Sequence, residues 1–246
     1  VKSDRTIAPS GGFSITLRVA AIESSSRPGS VALFEDEHLV AQDVTAGLSL
    51  APRGELLMPV IAALFERAGW APRDVARWAV GVGPGSFTGA RIGVALAKGI
   101  ALVTGAELVG VTSLDAVAYG LPPDELIVSL IAAGKGELFV QAKRGDRFVL
   151  APSHLRASSV TERLLALAPD GPVIVAGQLA SEVDWSAFGS RVMLKVDPPH
   201  DRPCATAVGR VALTRAPCTP EDADALEPVY VRPPEITVPI RGPRAP

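Results

Sequence analysis

Short runs of β-branched and aromatic residues alternate along the chain with segments whose apolar positions recur every third or fourth residue, which predicts a mixed sheet covered by helices. Residues 14–22, 30–34 and 39–43 read as strands joined by the polar turns 23–29 and 35–38, hence as a meander. Residues 53–69 then keep Leu57, Ile61, Leu64, Phe65 and Ala68 on one helical face, with Pro59 in the first turn or at a kink. Residues 77–82 form a buried strand, and Gly83, Pro84 and Gly85 reverse the backbone before a helix capped by Ser86 or Thr88. Strand 107–111 and short helix 113–119 follow, the latter capped by Thr112 or Ser113. The order is β-β-β-α-β-α and a further β-α.

Pro122, Pro123 and Asp124 punctuate the chain and divide it into lobes 14–121 and 122–234, flanked by a disordered extension 1–13 and an extended tail 235–246. In the second lobe, 126–132, 137–142, 147–150, 172–176 and 191–196 read as strands, and 158–167 and 205–214 as helices. The proline-rich stretch from Pro217 reads as extended. This half is a further α/β layer with weaker patterning.

The helix from Thr88 to Thr104 carries two rows of positions. Ile92, Leu96, Ile100 and Val103 are large and apolar, whereas Gly89, Gly93, Ala97 and Ala101 have almost no side chain. Glycine inside a helix costs about 1 kcal/mol relative to alanine, so the small row needs a tertiary reason. Close packing on the chain's own sheet is one reason, and a second helix crossing at short axial distance, from this chain or another, is the other.

Composition narrows the function classes. With 246 residues, 48% of them hydrophobic, and a mean hydropathy of +0.28, the chain has ample material for a core. A net charge of −2 gives no basic footprint for nucleic acid. Cys204 and Cys218 sit in no metal-binding or disulfide pattern, which fits a reducing cytoplasm, and the polar residues 1–12 lack the apolar core of a signal peptide. The most apolar window, 92–111, is broken by Lys98 and Glu107 and falls short of a membrane span.

The run Gly83-Pro-Gly-Ser-Phe-Thr-Gly89, continued by Arg91-Ile-Gly93 and Ala97-Lys-Gly99, resembles the signature segment of the TsaB (YeaZ) family nearly letter for letter. Residues 30–33, 56–59, 110–114, 136–140 and 230–232 are similar to weaker family motifs in the same order. The resemblance implies a two-lobed actin-like ATPase fold of ribonuclease-H type, with mixed sheets flanked by helices. It implies a non-catalytic assembly subunit of the complex that forms N6-threonylcarbamoyladenosine at position 37 of tRNAs reading codons that begin with A. The partners implied are a TsaD-type catalytic subunit, met through helices 55–68 and 88–104, and a TsaE-type ATPase. The tRNA is then reached indirectly, ATP and Mg²⁺ are expected only in the assembled complex, and the free chain can pair with itself. The residues assigned to the partner face are Leu57, Ile61, Leu64, Gly89, Ile92, Gly93, Leu96, Ala97, Ile100 and Ala101. The chain departs from the family pattern at Glu23-Ser24-Ser25, where Asp-Thr-Ser is usual. It departs again at Ala132, where an aspartate is usual, and at Arg53-Gly54, where His-Ser is common.

Other chemistry finds little support in the letters. The Gly83–Gly89 run lacks the lysine of a phosphate loop and the third glycine of a dinucleotide fingerprint. His38, His154 and His200 are isolated, so no metal-ligand set is expected, and no nucleophile elbow frames a serine. Glu23, with Ser24 and Ser25, is the acidic strand end that a nucleotide or phosphate site would use, and an ordinary solvated carboxylate is the alternative. A phosphotransferase or ATPase acting on a small molecule is accordingly the second functional class. Arg91 and Lys98 read as surface charges.

Overall fold

The computed structural model describes residues 16–45, 53–168 and 170–231. The expected extension 1–13 and tail 235–246 lie outside the described residues, as do the first residues of the first predicted strand and Arg232. Of Arg53 and Gly54 the backbone alone is described.

Strand β1 (Arg18–Glu23) is the centre of the first sheet because its residues are apolar on both faces. It pairs antiparallel with β2 (Ser30–Glu35), which pairs antiparallel with β3 (His38–Val44). On its other side it runs parallel to β4 (Arg77–Gly81), and β4 to β5 (Glu107–Val111). The edge strand β3 alternates between exposed and half-buried positions, as one covered face requires.

The second sheet repeats the plan. Strands β6 (Leu126–Gly134), β7 (Glu137–Arg144) and β8 (Arg147–Arg156) form an antiparallel meander, and β9 (Val173–Ala176) and β10 (Val192–Lys195) add in parallel beside β6. Orders β3-β2-β1-β4-β5 and β8-β7-β6-β9-β10 are the same topology twice. This is the two-lobed, actin-like arrangement of ribonuclease-H type.

Neighbouring residues of a strand point to opposite faces, which explains the layers. Ala20, Ile22, Leu33, Trp78 and Val80 face helices α1 (Arg53–Ala68) and α2 (Phe87–Thr104). Val19, Ala21, Phe34 and Ala79 face α5 (Ala205–Leu213) and Ala116 of α3 (Ser113–Ala118). Leu114 and Val117 of α3 turn the other way, onto Ile127, Ile131, Phe139 and Ile174 of the second sheet. The outer face of that sheet is covered by α4 (Ala157–Leu167) and by 3-10 turns at Gln178–Glu182 and Ser186–Arg191.

Two expectations need correction. Helix α5 belongs to the first lobe: it packs on β1, β2 and β4, so closely that a side chain at Gly209 would meet the Phe34 ring at 2.3 Å. The first lobe therefore does not end at Pro122, because the chain returns to the first sheet near residue 205. The stretch after Pro217 is not wholly extended, since α6 (Pro220–Ala225) forms there, with the Thr219 hydroxyl accepting the Asp222 amide. Thr-Pro-Glu-Asp is a readable helix start, with cap, proline and acids in the first turn. Of the two places open to Pro59, the structure excludes the first turn, for it lies inside α1.

One carboxylate ties the lobes together. Asp115 on α3 accepts from Gln141 Nε2 (2.9 Å) and Lys143 Nζ (2.8 Å) on β7, and from Arg215 (2.7 Å) beyond α5. Burial pushes its carboxyl up, but the hydrogen bonds from Lys143, Arg215 and Gln141 outweigh that and hold it well below the usual carboxylate range. A depressed value means that this stabilisation is intact above about pH 4, the unfolded value, and drains away as pH falls below it. Asp115→Asn should cost about 2–4 kcal/mol at neutral pH, since it leaves Lys143 and Arg215 facing an uncharged group in a largely buried setting. Denaturant unfolding at pH 7 and pH 3 checks both statements: the gap between wild type and variant should shrink at the lower pH.

Candidate functional site

The glycine-rich run between β4 and α2 is built around the end of β1. Ser86 caps α2 by accepting the Gly89 amide (3.2 Å), and its own N–H donates to the Ser25 carbonyl (2.7 Å). The Ser24 hydroxyl donates to the Gly89 carbonyl (2.8 Å). These contacts bring the 23–25 turn so near α2 that a Cβ at Gly85 would stand 2.6 Å from the Ser25 carbonyl, and one at Gly93 would stand 2.3 Å from Ser24 Oγ.

The small row Gly89, Gly93, Ala97 and Ala101 therefore faces inward, because only small residues admit the β1 turn and the sheet beneath it. Leu57, Ile61 and Leu64 are likewise sealed in the core, while Ile92, Leu96 and Ile100 are half-buried. Of the residues assigned to a partner face, most are thus spent inside the chain.

A different stripe looks outward. Met58, Pro59, Ala62 and Ala63 on α1 and Thr88, Ala95, Gly99 and Leu102 on α2 are exposed, and Leu102 and Val103 are 82% and 86% accessible. Nothing stands within 4 Å of a Cβ placed at Gly99. Sequence reasoning missed this stripe because both rows of α2 obey the helical period; the signal that separates them is the heptad Thr88, Ala95, Leu102, which is never needed by the sheet. With apolar residues on both its faces, Phe87–Thr104 is the helix among the described residues long and apolar enough to cross a membrane by length and composition. Its inward face is that of a core helix.

The other flank of α2 holds the returning chain. Lys98 Nζ donates to the carbonyls of Asp224 (2.6 Å) and Leu226 (3.4 Å), the Val229 amide donates to Val82 (2.8 Å), and Arg91 Nε donates to the Tyr230 hydroxyl (2.8 Å). Arg91 also lies 3.7 Å over the Phe87 ring. Arg91 and Lys98 are anchors for residues 219–231 rather than free surface charges. The distant motifs around Phe87 and Tyr230 meet here.

Between the lobes lies a cleft of about 670 Å³, walled by Leu130, Ile131, Phe139 and Leu179 and rimmed by Arg27, Ser86 and Tyr230. Ala132 lines it where the family usually has an aspartate. Glu23, the acid expected near a nucleotide, is 0% exposed and does not reach it. Its Oε1 accepts from the Ser25 amide (2.6 Å) and hydroxyl (2.6 Å), and Ser113 Oγ stands 3.4 Å from Oε2. Burial pushes its carboxyl up, with the Ser25, Ser26 and Ser113 hydrogen bonds working against that. Asp201, on the cleft wall, is paired with Arg202 at 2.6 Å. The residues present do not fit a Mg²⁺-nucleotide: both carboxylates near the cleft are already engaged, one of them inside the core.

His38 is exposed, His154 lies against Glu137 and Phe139, and His200 Nδ1 sits 2.9 Å from the Val117 carbonyl. Among the described residues no three His, Cys, Asp or Glu side chains converge.

The fold is a duplicated ribonuclease-H-like one whose glycine-rich run seats helix α2. The family model described as TsaD, tRNA N6-adenosine threonylcarbamoyltransferase, matches residues 53–192. The chain is 35% identical to the tRNA threonylcarbamoyladenosine biosynthesis protein TsaB of Escherichia coli over 106 residues, 42% of this chain and 44% of that one. It is 31% identical to TsaB of Bacillus subtilis over 124 residues, 50% and 53% of the two chains. YeaZ from Pseudomonas aeruginosa superimposes with a TM-score of 0.65 over 87% of this chain and 99% of that chain, at 22% identity, a likeness of fold. The chain belongs to the family that this model describes, and among its relatives are the TsaB proteins named above. Its alignments span about half the length of the curated relatives.

The two kinds of glycine in α2 make opposite predictions. Gly93→Ala should destabilise by about 1–3 kcal/mol through collision with Ser24, and Gly93→Leu should fail to give a sound monomer. Gly99→Ala should be neutral or stabilising by up to about 1 kcal/mol, since it gains helix propensity in open space. Thermal and denaturant unfolding of the single variants measures both.

Proposed function

We propose that the chain is a non-catalytic assembly subunit of the machinery that places threonylcarbamoyl on N6 of adenosine 37 in tRNAs reading codons that begin with A. In this reading it docks on a TsaD-type catalytic subunit through the outward face of α1 and α2. The observation that carries it is that face: Met58, Leu102 and Val103 stand exposed around the small residues Ala62, Ala63, Ala95 and Gly99. Large apolar side chains bordering a flat strip of alanine and glycine suit a pair of partner helices crossing at close range. Leaving Leu102 and Val103 in water forgoes about 1.5–3 kcal/mol each, which docking would recover.

The reaction would take place on the partner. This chain would raise the population of the partner's active arrangement by binding it preferentially, with no proton or phosphoryl transfer of its own. A TsaE-type ATPase would join the pair, ATP and Mg²⁺ would belong to the assembled complex, and tRNA would be met through it in the cytoplasm. Without a partner the same apolar face would pair two copies of the chain. The sealed Glu23 and the Asp201–Arg202 pair support the absence of phosphotransferase activity in the chain alone.

Ala95→Glu and Leu102→Glu should each weaken binding to a TsaD-type subunit by at least about 30-fold, the effect of roughly 2 kcal/mol, because a carboxylate would be buried unpaired at the contact. Their melting temperatures should stay within a degree or two of wild type, since both positions face solvent in the free chain. Pull-down and titration calorimetry give the affinities. Threonylcarbamoyl incorporation into tRNA, reconstituted at limiting catalytic subunit, should depend on this chain and fall with either variant. Equal incorporation with and without it would end the assignment, and robust Mg²⁺-dependent ATP hydrolysis by the isolated chain would favour the phosphotransferase reading instead.

A further inference from the structure

The acid at the end of β1 has no access to the cleft, yet it is wired to the first turn of the outward-facing helix. Glu23 Oε1 holds both the amide and the hydroxyl of Ser25 at 2.6 Å, which folds the 23–25 turn back on its own strand. From that turn the Ser25 carbonyl takes the Ser86 N–H, and the Ser24 hydroxyl reaches the Gly89 carbonyl. Ser25 Oγ also meets Ser113 Oγ at 2.8 Å, and the Ser113 amide donates to the Gly83 carbonyl at 2.7 Å. The carboxyl thus stands where the end of β1, the start of α2 and the start of α3 cross.

Its length matters as well as its hydrogen bonds. Glu23 Oε2 occupies the space that a Cβ on residue 81 would need, at 1.9 Å from the ideal Cβ position. Gly81 is therefore the counterpart of Glu23: any side chain there evicts the carboxyl.

We infer that Glu23 is a positioning residue for the docking helix, fixing through Ser24 and Ser25 the seat of the first turn of α2 and hence the shape of the partner face. The acidic strand end that a nucleotide or phosphate site would use serves assembly here. The partner half of this inference rests on the docking role proposed above, whereas the seating of α2 does not.

The test uses the full chain. Glu23→Gln keeps the acceptor for Ser25 and can donate to Ser113; Glu23→Ala removes both; Gly81→Ala evicts the carboxyl; and Glu23→Ala with Gly81→Ala removes the collision. Amide hydrogen exchange at Gly89 and Ala90 reads the seat of α2 in the free protein, and titration against a TsaD-type subunit reads the face. Expected for Glu23→Ala and for Gly81→Ala is exchange at those amides faster by about 10-fold or more, about 1.4 kcal/mol, with unchanged exchange in β6 and β7. Partner affinity should fall by a similar factor. Glu23→Gln should stay within about 3-fold of wild type, and the double variant should be no worse than Glu23→Ala, not the product of the two single losses.

Unchanged exchange at Gly89 and Ala90 in folded Glu23→Ala, or losses that multiply in the double variant, would overturn the inference. Should Glu23→Ala fail to fold, Ser24→Ala takes its place with the same readouts, because it removes the Gly89 contact alone. If the wild-type chain does not bind a TsaD-type subunit, the docking role falls, and the exchange measurements still decide whether Glu23 seats the helix.

Discussion

The 23–25 turn pressed against the start of α2 is the constraint on which the rest depends. Ser24 and Ser25 use a hydroxyl and a carbonyl to hold the first turn of a helix whose underside must then be bare. Bare undersides explain Gly85 and Gly93, and the same approach explains why the motif run tolerates so little bulk. Once α2 is seated, α1 packs beside it on the same face of the sheet, residues 219–231 close its other flank, and its remaining face is left to water.

Much of the fold was legible. Short β-branched and aromatic runs placed the strands of the first lobe, although the first begins at Arg18 rather than residue 14, and the polar turns between them identified the meander. In the second lobe β8 was the strand read too short, because Ala151, Pro152, Ser153 and His154 break its apolar run although the strand continues to Arg156. That the two sheets share one topology is a property of pairing order, which no local pattern encodes. The return of α5 to the first sheet is also non-local: its apolar stripe states that it is covered, and says nothing about which sheet covers it.

The candidate site was legible in part, for a related reason. The residue run 83–89 marked the turn that seats α2, and the TsaB-type sequences it resembles are among the relatives found. The small row on α2 was correctly singled out as needing a tertiary cause. Between its two causes the period could not choose, since rows separated by half a helix turn repeat identically. Glu23 was flagged for chemistry because acids at strand ends so often face ligands; only the positions of Ser25, Ser113 and Gly81 reveal that this one is enclosed. Arg91 and Lys98 looked like solvated charges because their acceptors lie some 130 residues away.

The return of the chain near residue 205 makes the second lobe an insertion within the first. Val19, Ala21, Ala32 and Phe34 gain their cover from α5, whose residues leave the ribosome after the whole second sheet. During synthesis the first sheet must therefore wait with one apolar face open while another domain is made. A first half cut at residue 122 would carry that face permanently bare, exposed to aggregation or to capture by chaperones. The lobe that begins first is thus the last to be completed, for α2 too gains its anchors from residues 219–231.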